Sequence, residues 1–437
     1  MTSEANVEFG TSLKEHFLFD PTWRNLNNGS FGAMPRYVRE KQLEFQNRAE
    51  SRPDEYIRYE YPKALDASRT ALSAHLNVSP NTVVFVANAT TAFNIILRNI
   101  RWAADGKDEV ISFSTIYGAC NNTVEYIVDT NPGLVSSRTI LLTYPLEDED
   151  IITLFREAVT TARAEGRRPR VAVYDVVSSQ PGVRFPFEAL TAVCRELGVL
   201  SLVDGAQGVG MIKLDLAALD ADFFLSNCHK WLHTPRGCAF LHVPFRNQGL
   251  IRSTLPTSRG YVPLRVAEQR TPVPAEEAGA KSAWVTSFDF VGTLDNSQPV
   301  VVKDALQWRQ EVLGGEERIL EYLWWLAKEG GKKTAAILGT GVIDNKTETL
   351  TNCAMVNVWL PVKSADVQEG ALGWAQEVLV KDYRTFIPLS QHNGQWYTRL
   401  SAQVYLDLED FEWAGRALKE VCERVVREKA KKRAPSS

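Results

Sequence analysis

Two residues of opposite charge stand at the ends of neighbouring apolar runs. Leu200-Ser201-Leu202-Val203-Asp204 is an apolar strand pattern ending on a carboxylate, followed by Gly205, Ala206 and Gln207. An acid at the carboxyl end of a parallel strand lies where open α/β sheets bind ligands, although Asp204 taken alone serves equally well as a turn cap. The next such run, Asp222-Phe223-Phe224-Leu225-Ser226, leads through Asn227-Cys228-His229 to Lys230, ahead of Gly237 and a further apolar strand. A lysine lodged between two buried strands is costly to desolvate and needs a partner or a covalent role. An aspartate keeps a pyridine nitrogen protonated and a lysine amine forms an imine, and pyridoxal phosphate (PLP) requires both groups from its protein. Asp204 and Lys230 fit those roles.

The same cofactor needs a phosphate site. Val83 to Ala87 followed by Asn88-Ala89-Thr90-Thr91 reads as a strand-to-helix turn with small hydroxyl residues. Free N–H groups and a partial positive charge at a helix start attract anions, but Thr90 and Thr91 fit ordinary capping positions equally well. Ser226 and His229 offer two more donors just before the lysine.

These groups must be positioned by a mostly parallel sheet. Strand-type and helix-type segments alternate from about residue 65 to 245. The pattern predicts strands over Thr82–Ala87, Glu109–Phe113, Val171–Val177, Val199–Asp204, Asp222–Ser226 and Cys238–Val243. It predicts helices over Pro62–Leu76, Thr90–Ile100 and Phe187–Leu197. From Pro244 to Lys281 periodicity is lost and Pro, Arg, Ser and Gly accumulate, which suits an active-site or interface loop. A long helical pattern from Val300 into Trp324-Trp325 then opens a second region. There, strands are expected at Ala354–Leu360 and Tyr397–Ser401, and helices near Glu369–Asp382 and from Glu409.

Composition narrows the functional classes. The 437 residues, 44% of them hydrophobic, suffice for a large α/β domain and a smaller second one. A net charge of −4 leaves no surplus to hold a nucleic acid or an anionic membrane. The basic run Lys429 to Arg433 reads as a solvated tail. Neither a signal-peptide core nor an eighteen-residue apolar run is present, so a cytoplasmic protein is expected. Six cysteines without C-x-x-C spacing fit neither a disulfide framework nor a metal site.

Asp-x-x-Gln at 204 to 207, Ser-x-x-His-Lys at 226 to 230 and Arg399-Leu400-Ser401 resemble the class V PLP enzymes of the aminotransferase superfamily. Further stretches are similar to the fungal hercynylcysteine sulfoxide lyases and isopenicillin N epimerase-like proteins. They are Asn88-Ala89-Thr90, Thr115 to Cys120, Asp175 to Ser179, Pro181 to Phe187 and Arg252 to Ser258. The resemblance implies fold type I: a mostly parallel sheet flanked by helices, with a smaller α+β C-terminal domain. Residues 1–30 would then contribute to the active site and small domain, 31–295 form the PLP-binding domain, and 296–437 form the small domain.

The resemblance also implies roles. Tyr117 lies against the cofactor ring, Gln207 and Ser178 join the cofactor contacts, and Arg399 clamps a substrate carboxylate. Asn28 and Arg58 fall among the substrate contacts. Thr293 reaches the phosphate of a neighbouring subunit, which makes the protein a homodimer acting on a small amino-acid-derived molecule. Where Asn28 stands, that family commonly carries His, and Ser390 to Trp396 lacks the basic cluster of the sulfoxide lyases.

The implied activity is β-elimination: Lys230 takes the α-proton of a cysteine S-conjugate, the sulfur group leaves, and pyruvate and ammonia follow. The alternative is a decarboxylating, ring-closing enzyme of loline-type alkaloid metabolism, which the Asn28 departure favours. A cysteine desulfurase needs a nucleophilic cysteine near the substrate arginine, and residues 386 to 399 contain none.

Overall fold

The computed structural model describes residues 7–253, 255, 256, 261, 263, 265 and 281–430. Apolar, β-branched runs build a seven-stranded sheet. Its strands are β1 (Val83–Val86), β2 (Asp108–Phe113), β3 (Val135–Ile140), β4 (Arg168–Asp175), β5 (Leu200–Asp204), β6 (Phe223–Asn227) and β7 (Ala239–His242), in the spatial order β1-β7-β6-β5-β4-β2-β3. β2, β3, β4, β5 and β6 pair in parallel, and β7 runs against both β6 and β1. Helices cover both faces, so the central strands are buried throughout, as parallel sheets require. This is the fold type I arrangement expected from the sequence.

Most predicted elements fall within two or three residues of the observed ones, and Phe187–Leu197 coincides with its helix. β3 escaped the pattern because Ser136, Ser137, Arg138 and Thr139 dilute its apolar content. Arg138 is there to neutralise the buried acid Glu109 at 2.9 Å on β2. The single long helix expected after Val300 is two, Val302–Glu311 and Glu316–Leu338. Gly314 and Gly315, at φ 83° and 93°, occupy the left-handed region and end the first.

The second sheet is antiparallel, in the order β8 (Met355–Lys363), β10 (Gln395–Ser401), β9 (Leu389–His392). The Glu316–Leu338, Ala371–Tyr383 and Leu408–Glu428 helices pack with it; Asp407 and Asp410 form a capping box that starts the last. One continuous core runs from the large sheet into this region, through residues such as Trp231, Trp308, Met355 and Tyr405. Within the Pro244 to Lys281 stretch, Phe245–Gln248 forms a helical turn; Lys431 onward in the basic tail lies outside the described residues. Among the described residues no helix is long and apolar enough to cross a membrane.

Candidate active site

Because β4, β5 and β6 are parallel, their carboxyl ends meet on one edge of the sheet. β5 delivers Asp204 there, 4% exposed. Its Oδ1 accepts the Ala206 N–H at 2.8 Å and its Oδ2 accepts the Cys120 thiol at 3.4 Å. Burial raises its carboxyl above the usual range, and the Ala206 and Cys120 donors and the charge of Lys230 work against that rise. The one-turn helix Cys228–Trp231 that follows β6 carries Lys230. Burial pushes the Lys230 amine down to about 8, with Asp204 opposing the fall and Arg399 adding to it.

Lys230 is fixed from behind by the segment Asn27 to Gly32. The Asn28 amide donates to the Lys230 main-chain carbonyl at 2.9 Å, and its carbonyl accepts the Tyr405 hydroxyl at 3.3 Å. A Cβ on Gly32 would stand 1.7 Å from the His229 carbonyl oxygen, so this approach is open only to glycine. In this structure the Asn28 side chain braces the lysine turn from below. An amide suits it, because it donates to a carbonyl and accepts from a hydroxyl at once.

Arg399, on β10, is 2% exposed. One terminal nitrogen donates to the Ser179 carbonyl at 2.6 Å, the other to Asn27 Oδ1 at 2.8 Å and Ser30 Oγ at 3.0 Å. Its Nε has no partner, and among the described residues no carboxylate pairs with it. Burial pushes the guanidinium down to about 10. A buried cation without a counter-ion is costly to maintain and here lines a cavity of about 490 Å³. Tyr117, half exposed, stands in the same wall, with Phe31, Ser179, Gln376 and Phe386. Among the described residues Arg399 is the single ionised group lining it.

At the start of the Ala89–Asn99 helix, Asn88 is the cap: its side chain accepts the Thr91 N–H at 2.8 Å and the Thr91 hydroxyl at 3.0 Å. Asn227 accepts the Ala89 N–H at 2.9 Å and ties this helix start to the lysine turn. The Thr90 hydroxyl has no partner among the described residues. Thr90 and Thr91 line a second cavity, of about 680 Å³, together with Gly237, Gly292 and Leu294. Thr293 sits exposed between the last two.

Several expected contacts are spent elsewhere. Ser226 donates to the Gly205 carbonyl and accepts the Val209 N–H at 3.1 Å, so it braces the loop after Asp204. Ser178 donates to the Pro181 carbonyl at 2.6 Å inside its own turn. Gln207 donates to the Gly29 carbonyl at 2.6 Å and accepts the Trp231 indole N–H at 2.7 Å. All three are buried, and in this structure their hydrogen bonds go to the protein. His229 places Nδ1 2.8 Å from the Cys238 carbonyl, and burial pushes its ring down to about 4. A neutral ring donating from Nδ1 to that carbonyl leaves Nε2 as an acceptor in this structure. Arg58 is largely exposed, pairs with Asp54 at 3.0 Å, and lies outside the cavity holding Arg399.

Sequence reasoning overlooked Asn27, Ser179, Cys120 and Asp175. Asp175 ends an apolar strand as Asp204 does, so the same signal was available. The others reveal themselves only through partners distant in sequence.

A parallel sheet with an acid ending β5 and a lysine on the turn between β6 and β7 defines a fold type I PLP enzyme. The chain belongs to the class V aminotransferase family, whose profile, Aminotransferase class-V, matches residues 39–260. It is 35% identical over 446 residues to the L-cysteine desulfhydrase-like protein lolT1 of Epichloe uncinata, covering 96% of this chain and 97% of that protein. It is 30% identical over 423 residues to the hercynylcysteine sulfoxide lyase of Schizosaccharomyces pombe, covering 96% and 99%. The structure of the cystine C–S lyase C-DES with cysteine persulfide superposes with a TM-score of 0.70 at 20% identity, over 91% of this chain and 97% of that one. At that identity the likeness speaks for the fold.

The residues present fit PLP, the cofactor of this family. Lys230 supplies an amine depressed toward neutrality, Asp204 a carboxylate with two donors already fixing its orientation, and the Ala89–Asn99 helix a start with a free hydroxyl at Thr90. Capture of PLP by the apo-protein should accelerate as pH rises through about 8 and then level off, because the neutral amine is the reacting form. An exposed lysine would keep accelerating beyond pH 10 or so. The same depression means that the fold disfavours the ammonium, so Lys230's cost to stability shrinks as pH rises from about 8 toward the ordinary lysine value. Stopped-flow absorbance from pH 6 to 10 checks the first statement; a rate still climbing at pH 10 contradicts it.

Proposed function

We propose that this enzyme breaks the Cβ–S bond of a cysteine S-conjugate, hercynylcysteine sulfoxide-like, by β-elimination, giving a sulfur product, pyruvate and ammonia. The observation that carries the reading is Arg399: a buried guanidinium with an unpartnered Nε and, among the described residues, no acid beside it, lining a cavity near Lys230. Such a group recognises a carboxylate in two-pronged fashion, and an α-carboxylate held there brings the α-carbon toward the lysine.

When bound, PLP supplies an electron sink for the charge that develops at the α-carbon. Asp204 would keep the cofactor's ring nitrogen protonated. The Lys230 amine, depressed to about 8, has a minority neutral form near physiological pH far larger than an ordinary lysine's, and that form accepts the α-proton. Tyr117, half exposed on the cavity wall, is within the same space to donate its phenolic proton to the departing sulfur. The uncharged remainder of the wall does not compete with Arg399 for the carboxylate.

The cysteines support elimination over desulfuration. All six are buried and free. Cys353, the one at the edge of the small sheet, is pushed up to about 12 by burial, far from a thiolate. The relatives named for desulfhydrase and sulfoxide lyase action agree with this reading. The bond from Asn28 to the Lys230 carbonyl gives the departure at that position a role in bracing the lysine turn, which is compatible with elimination.

The homodimer belongs to the same proposal. Val291 and Leu294, with Leu255, leave apolar surface exposed beside Thr90, and a second copy covering it would bring its own Thr293 to this site.

The test is a product assay on PLP-loaded protein given hercynylcysteine sulfoxide or a simpler cysteine S-conjugate sulfoxide, with pyruvate and carbon dioxide followed together. Pyruvate without carbon dioxide is the expected result. Carbon dioxide without pyruvate overturns the elimination and establishes the decarboxylating chemistry instead.

A further inference from the structure

Asp175 ends β4 as Asp204 ends β5, and the two are register partners on adjacent parallel strands. Side chains at such positions project to the same face, with backbones about 4.8 Å apart. Asp175 is 7% exposed and Asp204 4%. Two carboxyls so close in a dry site do not both ionise.

The hydrogen bonds decide which keeps the charge. Asp204 receives the Ala206 N–H and the Cys120 thiol. Among the described residues no group donates to Asp175, whose surroundings are burial, Asp204 and Lys230. The titratable groups facing the pair are Lys230 from the turn after β6, Cys120 from the Gly118–Thr130 helix and Tyr144 from the stretch after β3. Burial holds the thiol and the phenol neutral, since both are raised above their ordinary values. Arg399 is felt at Lys230 and lowers it further.

We propose that Asp175 is a positioning residue kept as a neutral carboxylic acid, so that it and Asp204 carry one negative charge between them, placed on Asp204. The proposal rests on the PLP assignment and deepens it. A single charge matches a single pyridinium. It also frees Lys230: two carboxylates would hold the amine as an ammonium, whereas one leaves it able to react. The proton on Asp175 is thus part of what keeps the lysine available.

An uncharged isostere should replace it. In the PLP-loaded Asp175→Asn protein, the pH midpoint of the cofactor's visible absorbance change should stay within about half a unit of wild type. The infrared spectrum of wild type at pH 7 should show a protonated-carboxyl band that disappears in Asp175→Asn. Thermal stability gives the sign: an acid neutral in the fold and ionised in the unfolded chain costs stability as pH rises. The melting temperature of Asp175→Asn relative to wild type should therefore increase from pH 5 to pH 8.

A midpoint displaced by a full unit or more, a missing band, or a band that survives the substitution overturns the proposal. So does a variant whose relative stability falls with pH, the mark of a lost Asp175–Lys230 ion pair. Asp175→Thr, a smaller neutral donor, stands in if Asp175→Asn does not fold; failure of both to fold also overturns it. A wild type that takes up no PLP would sink the cofactor assignment instead, and the infrared and melting comparisons would still report the proton on Asp175.

Discussion

Lys230→Ala protein, purified in the presence of PLP, should lack the visible absorbance of a lysine-linked cofactor and should lose turnover by a factor of about 10³ or more. Two functions disappear together. On the proposed reading the amine forms the imine and is also the base that takes the α-proton, a role worth about 10² to 10⁴ on its own. The fold itself should not suffer. Lys230 is depressed because burial disfavours its charge, so its removal lifts a cost, and the melting temperature of the apo-protein should be unchanged or higher. A purely structural lysine would give the opposite pair of results, with the absorbance kept and stability lost. Asn28, Gly32 and Gln207 should still hold the turn in the variant, because they bond the main chain of this turn, pack against it, or bond Trp231, and leave the amine untouched.

Arg399→Ala should lower kcat/KM by about 10²-fold or more, about 3 kcal/mol, with most of the loss in KM. The guanidinium is already oriented by Ser179, Asn27 and Ser30, and so loses little freedom when a carboxylate arrives. Arg399→Lys should recover little, because an ammonium cannot keep three protein contacts and still offer a flat two-pronged face. Asn27→Ala should produce a milder rise in KM, since it releases one of the two groups held by the same nitrogen. An Arg399→Ala enzyme with unaltered KM for every cysteine conjugate would remove the argument on which the substrate class rests. The PLP assignment, which stands on Lys230 and Asp204, would survive it.

The two acids that end β4 and β5 show how local the legible signal is. An apolar run ending on a carboxylate can be read from five residues, because strand burial depends on side-chain type and period alone. That reading found Asp204 and, one strand later, Lys230. It was equally open to Asp175, but only the register between β4 and β5 shows that the two acids are neighbours and must divide one charge.

Hydrogen-bond destinations were not legible. Ser226, Ser178 and Gln207 have donor and acceptor groups suited to a cofactor, yet each is consumed by a main-chain or indole partner. Asn27 and Asn28 are adjacent and chemically identical, but the first faces Arg399 and the second the Lys230 carbonyl. Nothing in the order of residues separates them, since a helical turn at Asn28 to Phe31 sends their side chains different ways.

By itself the sequence determined the parallel sheet, the strand-end acid, the lysine turn and the slightly acidic balance of charge. These follow from periodicity and composition, which act over a few residues. The tertiary structure alone decided which donors are spent, that Arg399 stays without a counter-ion, and that the Asn27 to Gly32 segment lies under Lys230. Those outcomes join residues some 200 to 370 positions apart, and burial sets their energies, because a polar group removed from water must take whatever partner the packing brings.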